Sequence, residues 1–315
     1  MKAAQIAQYG DAGVVRIAVD ARKPSAGEGQ VLVEVRAASL NPVDSMIRQG
    51  YMHAMAPLQF PATLGFDLAG VVVGVGPGVS GYRTGDKVWG LASIQAGGTG
   101  AFAEFAAVPV ASIGKAPPGL TFAEAASLPF AGVSALQGIH EVLKPGPNRK
   151  ILITGGSGGI GSLAIQMARA LGAYVAATCR GGSLEFVKKL GADMIIDLDK
   201  DSLASRLKDF DLALDTVGGE VYKAAFAVLR QGGSIFTLAA QPDTELAAKR
   251  GVNAGGLRTE VTTARLDRLS ELVTAGAVKP HVYRTYPLTE VQEAFRAREA
   301  GKVRGKIVLL IGEQG

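Results

Sequence analysis

Gly156, Gly158 and Gly161 stand at G-x-G-x-x-G spacing inside "ILITGGSGGIGSLAIQMARALGAYVAATCR" (residues 151–180), between a short apolar run and an amphipathic one. In that setting the spacing suits a dinucleotide. The first glycine allows a tight turn, the second lets the backbone approach a diphosphate without a Cβ, and the third lets the helix sit close on its strand. Free N–H groups and the positive end of the helix then face the anion. No G-K-[ST] follows, so the loop is not a Walker loop. About 20 residues beyond such a loop an acidic residue would take the ribose of NAD. Here that strand ends in "TCRGGS", with Arg180 where the acid would stand and Ser183 close by. A guanidinium can pair bidentately with a 2′-phosphate and stack on adenine. The spacing therefore predicts NADPH over NADH.

Residues 150 to about 240 alternate strand and helix, as a loop of this kind requires. "KILIT", "AYVAATC", "DMIIDL", "DLALDTVG" and "SIFTLA" read as strands, with helical periodicity between them, which predicts βαβ units and a parallel sheet covered on both faces. "KRGVNAGGLR" reads as a loop. Residues 1–117 read as β-rich, with "QVLVEVRAA" and "LAGVVVGVGPGV" as strands. "APPGLTF" marks a boundary, where Thr121 is a candidate N-cap with Glu124 at capping-box spacing. The tail from His281 reads strand–helix–strand and is expected to return to the first domain.

The charge of +5 over 315 residues is diffuse, and aromatics make up 6%, which gives neither a basic patch nor a stacking platform for nucleic acid. No window holds ~18 uninterrupted apolar residues, so no membrane span is expected. Cys179 is the only cysteine, so no intramolecular disulfide can form and a reducing, cytoplasmic setting is expected. The T-G-x-x-x-G-x-G of short-chain dehydrogenases also fits "TGGSGGIG", but none of the seven tyrosines has lysine four residues later.

"SLNPVDSMIRQGY" (39–51), "PATLGFDLAGVVVGVGPGV" (61–79), "GDKVWG", "AASLPFAGVSALQGI", "DTVGGE" and "GKVRGKIVLLI", in this order, resemble the zinc-free quinone oxidoreductase (zeta-crystallin-like) branch of the medium-chain dehydrogenase/reductase superfamily. The resemblance implies an α/β chain. A GroES-like β-rich catalytic domain would span 1–120, completed by 280–315, and a Rossmann domain with a doubly wound parallel sheet would span 121–279. It further implies NADPH, a homodimer, and a small quinone or enone as substrate, with no nucleic-acid or membrane partner. Carried onto this chain, its motifs put Asn41, Asp44 and Tyr51 beside the reacting ring. They put Gly156, Ser157, Gly158, Gly159 and Ile160 at the diphosphate, and Arg180 and Ser183 at the phosphate end. Thr216, Val217, Leu238, Ala239, Gly305 and Lys306 complete the cofactor contacts. Asn41-Pro42 reads equally well as a turn. Relatives often place a tyrosine after the third strand, where this chain has Asp197-Leu198.

Zinc members carry a cysteine where this chain has Asn41 and Gly-His-Glu where it has Gly65-Phe66-Asp67, so no metal is expected. Reducing a simple ketone makes an alkoxide, which needs a Lewis acid or a strong proton donor. Hydride addition to a quinone or an enone β-carbon instead makes a delocalised phenolate or enolate, whose conjugate acid resembles tyrosine at pKa ~10. The expectation is thus a metal-free NADPH-dependent reductase of quinones or α,β-unsaturated carbonyls. An enoyl-thioester (enoyl-CoA type) reductase and a non-catalytic NADPH-binding protein are the alternatives.

Overall fold

A computed structural model describes residues 1–54, 57–94 and 97–312. The chain divides into two compact units. One comprises Met1–Phe130, Val261–Thr274 and Pro280–Gly315; the other comprises Ala131–Glu260 and Ala275–Lys279.

The second unit is built on six parallel strands. In spatial order they are Met194–Asp197, Tyr174–Cys179, Lys150–Ile153, Phe210–Asp215, Leu229–Thr237 and Asn253–Gly256. The order reverses between Lys150–Ile153 and Phe210–Asp215, the switch point at which a doubly wound sheet presents its strand ends to a ligand. Ile151, Leu152, Ile153, Ala176 and Ala213 are fully buried, as strands covered on both faces require. The sixth strand runs through the expected loop "KRGVNAGGLR". Asn253-Ala-Gly-Gly has no β-branched residue to announce it. It pairs at the sheet edge with Ser234–Thr237, where a Cβ on Gly255 would come within 2.3 Å of the Phe236 ring. The helix Thr244–Arg250 leads into this strand, capped by the Asp243 carboxylate and ended by left-handed Gly251.

In the first unit, Thr121 and Glu124 form the capping box expected of them, at the start of Phe122–Ala126. The main sheet runs Val282–Pro287, Lys306–Leu310, Gln30–Ser39, Asp67–Val75, Lys87–Leu91 and Ile113–Lys115, with Phe105–Pro109 also paired to Gln30–Ser39. The closing strand Lys306–Leu310 thus lies beside a strand more than two hundred residues earlier. Ala3–Ile6 carries a smaller sheet with Arg16–Ala18 and Ala62–Thr63. Valines and leucines facing alternately inward from these strands join Phe102, Phe295 and Val291 in one apolar core. Among the described residues no helix is long and apolar enough to cross a membrane.

Candidate functional site

Three strands of the first unit end together. Ser39 stands beside Asp67 in the register, and Val308 pairs with Ser39, so Leu40 N–H donates to the Ile307 carbonyl at 3.0 Å. The chain then enters the helix Pro42–Arg48. Asn41-Pro42 therefore opens a helix and not a turn, with proline at the first helical position, where its missing N–H leaves no bond unmade. Asp44, two residues on, accepts the Asn41 backbone N–H at 2.7 Å, the carboxylate arm of a capping box.

The Asn41 side chain points the other way. Its Nδ2 donates to Asp67 Oδ2 at 2.8 Å, and its Oδ1 accepts from Lys306 Nζ at 2.5 Å. An ammonium only donates and a carboxylate only accepts, so the amide has one orientation, and Nδ2 keeps a second hydrogen for another acceptor. Lys306 also donates to the Leu40 carbonyl at 2.9 Å and lies 3.4 Å from Asp67 Oδ2. Ser39 Oγ and the Phe130 N–H, each at 2.8 Å, complete the shell of Asp67.

Asn41, Asp44, Asp67 and Lys306 are all buried. Burial holds the Lys306 ammonium below the usual lysine range against the pull of Asp67 and Asp44. Burial also pushes the Asp44 carboxyl up to about 7; the Asn41 N–H opposes this and the Asp67 charge adds to it. Asp44 Oδ1 has no hydrogen-bond partner among the described residues.

Asn41 and Asp44 are thus brought together. Lys306, expected among the cofactor contacts, has its ammonium committed to this same cluster. Gly305 serves the backbone. It sits at φ +74°, and a Cβ there would lie 2.2 Å from the His281 carbonyl. Tyr51 stands apart in the turn after the helix, 74% exposed. Asp67 was missed by sequence reasoning. The available signal was a carboxylate opening an otherwise apolar strand, "DLAGVVVGV". A cavity of about 650 Å³ in this unit has Arg22, Leu58, Gln59 and Ile94 in its wall, but none of Asn41, Asp44 and Tyr51 lines it.

In the second unit the glycine loop joins Lys150–Ile153 to the helix Gly159–Ala170. Gly156 N–H donates to the Thr178 carbonyl at 2.7 Å, which ties the loop to the neighbouring strand. The glycines differ in what they do. A Cβ on Gly161 would meet the Gly155 carbonyl oxygen at 2.2 Å, and one on Gly156 would meet Ala177 Cβ at 2.9 Å, so both are fixed by packing. Gly158, the N-cap, has ordinary backbone angles (φ −78°, ψ 175°), and its Cβ would have only the Gly155 oxygen nearby, at 3.3 Å. Protein packing does not explain this glycine. The first N–H groups of the helix, at Gly159 and Ile160, are of the kind that suits an anion. Ser157 lies between the two kinds of glycine.

Gly158→Ala is expected to cost under about 1 kcal/mol of stability while weakening dinucleotide binding on the order of tenfold or more. A denaturant curve and a nucleotide fluorescence titration check this; an unchanged Kd would remove the ligand from the explanation.

The neighbouring strand ends are organised by a second residue that the sequence reading missed. Asp215 is fully buried and accepts from Thr154 Oγ1 and Thr237 Oγ1, both at 2.7 Å, and from Gly218 N–H at 3.0 Å. Thr216 N–H in turn donates to Thr154 Oγ1, and Ala239 N–H to Thr237 Oγ1. One carboxylate thus positions the loops bearing Thr216, Val217, Leu238 and Ala239, of which Val217 is 48% exposed. A charge closing the apolar run "FDLALD" was its signal. At the other side Arg180 follows Tyr174–Cys179 with its guanidinium exposed and paired to Asp199, while Ser183 is buried in the turn Gly181–Ser183.

A family model for a zinc-binding dehydrogenase matches residues 190–309, and one for an alcohol dehydrogenase GroES-like domain matches 27–118. The mouse mitochondrial NAD(P)H oxidoreductase RTN4IP1 is 34% identical over 98% of this chain and 89% of its own length. The chloroplastic NADPH-dependent alkenal/one oxidoreductase of Arabidopsis thaliana is 34% identical, covering 98% of this chain and 79% of that one. The structure of the quinone oxidoreductase from Coxiella burnetii superposes with a TM-score of 0.92 at 32% identity, over 99% of both chains. The zinc named by the first family model does not suit this donor set. The amide oxygen of Asn41 and the carboxylate of Asp67 are already bound by the Lys306 ammonium, and Cys179 lies in the other unit.

Proposed function

The chain belongs to the medium-chain dehydrogenase/reductase superfamily, and from that premise we propose that it reduces quinones or α,β-unsaturated carbonyl compounds with hydride supplied by NADPH. The observation that carries the reading is the buried polar cluster in which the Lys306 ammonium holds both the Asn41 amide oxygen and the Asp67 carboxylate. The fold, the GroES-like and dinucleotide-binding folds of the matched families, accords with it.

The proposed roles follow from donor counts. Asn41, locked by Lys306 and Asp67, offers its remaining Nδ2 hydrogen to the substrate oxygen as negative charge gathers there. An enolate or phenolate, with a conjugate acid near pKa ~10, asks no more than such a neutral donor. Tyr51, exposed and next to the helix that carries Asp44, supplies a second donor. Tyr51→Phe is expected to lower kcat several-fold with NADPH affinity unchanged; equal turnover in steady-state assays would take it out of the mechanism. Gly156 to Ile160, Arg180, Ser183, Thr216, Val217, Leu238 and Ala239 are proposed to hold the cofactor.

A turnover screen with NADPH against 1,4-benzoquinone, simple enals and enones, and crotonyl thioesters tests the function. Consumption of NADPH with the first groups is expected. Turnover confined to thioesters, or tight binding with no turnover, would overturn it. The proposal extends to a homodimer in a reducing compartment such as the cytoplasm, in keeping with a single cysteine in the whole chain; sedimentation checks the assembly.

A further inference from the structure

The phosphate end of the dinucleotide site carries a feature that works against a phosphate. Asp199 follows the strand Met194–Asp197, and one of its carboxylate oxygens accepts from Arg180 Nη1 at 3.0 Å. The other accepts from the Gly181 backbone N–H at 2.7 Å. A guanidinium and a backbone amide presented side by side are the donors that a phosphate monoester takes. Here one side-chain carboxylate fills both.

The parallel pairing that sets Cys179 opposite Asp197 delivers Arg180 and Asp199 to the same strand-end level. The Asp199 N–H donates to Asp197 Oδ1 at 3.2 Å, and Asp197 is buried, so the backbone of Asp199 is fixed from below. The Gly181 N–H holds the Asp199 carboxyl below the usual carboxylate range, with the Arg180 guanidinium helping, so it stays charged at neutral pH. Gly181 itself is at φ +56° with no atom within 4 Å of where a Cβ would stand.

We propose that Asp199 is a specificity-determining residue, a resident carboxylate that occupies the Arg180 and Gly181 donors and so lowers the preference of the chain for NADPH over NADH. The inference rests on the reading above that this strand end holds the adenosine ribose. A 2′-phosphate, with a charge of about −1.5 to −2 at neutral pH, must displace the carboxylate from two hydrogen bonds and then lie beside it. A 2′-hydroxyl meets no such repulsion and can donate to the same oxygens.

The test is titration of wild type, Asp199→Asn and Asp199→Ala with NADPH and with NADH, by nucleotide fluorescence at fixed ionic strength. Thermal melts of all three report folding. Removing the charge is expected to raise the ratio of the NADH Kd to the NADPH Kd roughly two- to fivefold, the size of one exposed charge contact, through tighter NADPH. Raised salt should narrow the gap between wild type and variant, because screening weakens the same repulsion. A ratio that stays constant or falls in both folded variants overturns the proposal. Wild type that binds neither nucleotide would instead overturn the cofactor reading on which it rests.

Discussion

Lys306→Met is expected to destabilise the folded chain by about 3 kcal/mol, and adding Asp67→Asn is expected to restore most of that loss. Methionine matches the length of the lysine stem, so little volume is lost; what goes is the cation. Asp67, with no exposed side-chain surface, would then be a buried carboxylate facing only neutral donors. Breaking one partner of a buried pair costs roughly 3–5 kcal/mol. The lower end applies because Ser39, Asn41 and the Phe130 N–H still donate to Asp67. In the double variant the charge is gone. Asn41, freed from Lys306, can turn its oxygen toward the new amide, and the Ser39 hydroxyl can accept from it, so residue 67 keeps its partners, while the Leu40 carbonyl loses the donor that Lys306 gave it. Urea unfolding of wild type, both single variants and the double variant closes the cycle. Additive losses would mean that the two side chains stabilise the fold independently. The same cycle bears on turnover. In Lys306→Met the Asn41 amide keeps its NH2 end on Asp67 but loses the ammonium that anchors and polarises its oxygen, so kcat should fall more than NADPH affinity does.

What the sequence made legible was local. The glycine loop, the flanking strand and helix, and the Thr121 cap each depend on residues within a few positions of one another, and their side-chain types suffice to specify them. The polar cluster was only half legible. Asn41 and Asp44 sit in one short helix entry, but Asp67 is 26 residues and Lys306 more than 260 residues away from Asn41. Only the antiparallel register of the closing strand makes them neighbours. Read along the chain, Lys306 belongs to a basic tail and was assigned to the cofactor; read across the sheet, it lies opposite Asn41. Arg180 shows the same limit. As a strand-end arginine it looks free for a phosphate, and its partner Asp199 becomes visible only through the pairing of two parallel strands. The edge strand Asn253–Gly256 escaped for a different reason, since a strand made of small residues is defined by the ring it must clear, not by its own propensity.

Asp44 leads to the other large effect, a stability difference that reverses with pH. Its carboxyl moves from an ordinary 3.8 up to about 7 on folding, chiefly through burial. Below about pH 4 the folded and unfolded chains both keep the proton, and the group costs nothing. Between there and pH 7 the unfolded chain releases it while the folded chain retains it, so stability drains away as pH rises. By neutral pH and above, the loss from this one group approaches about 4 kcal/mol. Asp44→Asn keeps an acceptor for the Asn41 N–H and cannot ionise. It places an amide N–H at the position of the partnerless Oδ1, at a cost of about 1 kcal/mol. Wild type should therefore be slightly more stable than the variant near pH 3.5 and clearly less stable near pH 8, with the two curves crossing at about pH 4.5. Titrating groups remote from Asp44 are common to both chains and cancel in the difference, which leaves Asp44 and the neighbours it interacts with, Asp67, Lys306 and Arg298. Urea midpoints at half-unit steps of pH measure it, and curves that run parallel throughout would show that Asp44 does not titrate in this range. Within the proposed reaction the same proton matters, because a carboxyl that changes charge near neutrality sits one helix turn from the amide offered to the substrate oxygen. The limb of the kcat profile near pH 7 should accordingly vanish in Asp44→Asn, whereas an Asp44 that served only to cap its helix would leave that limb in place.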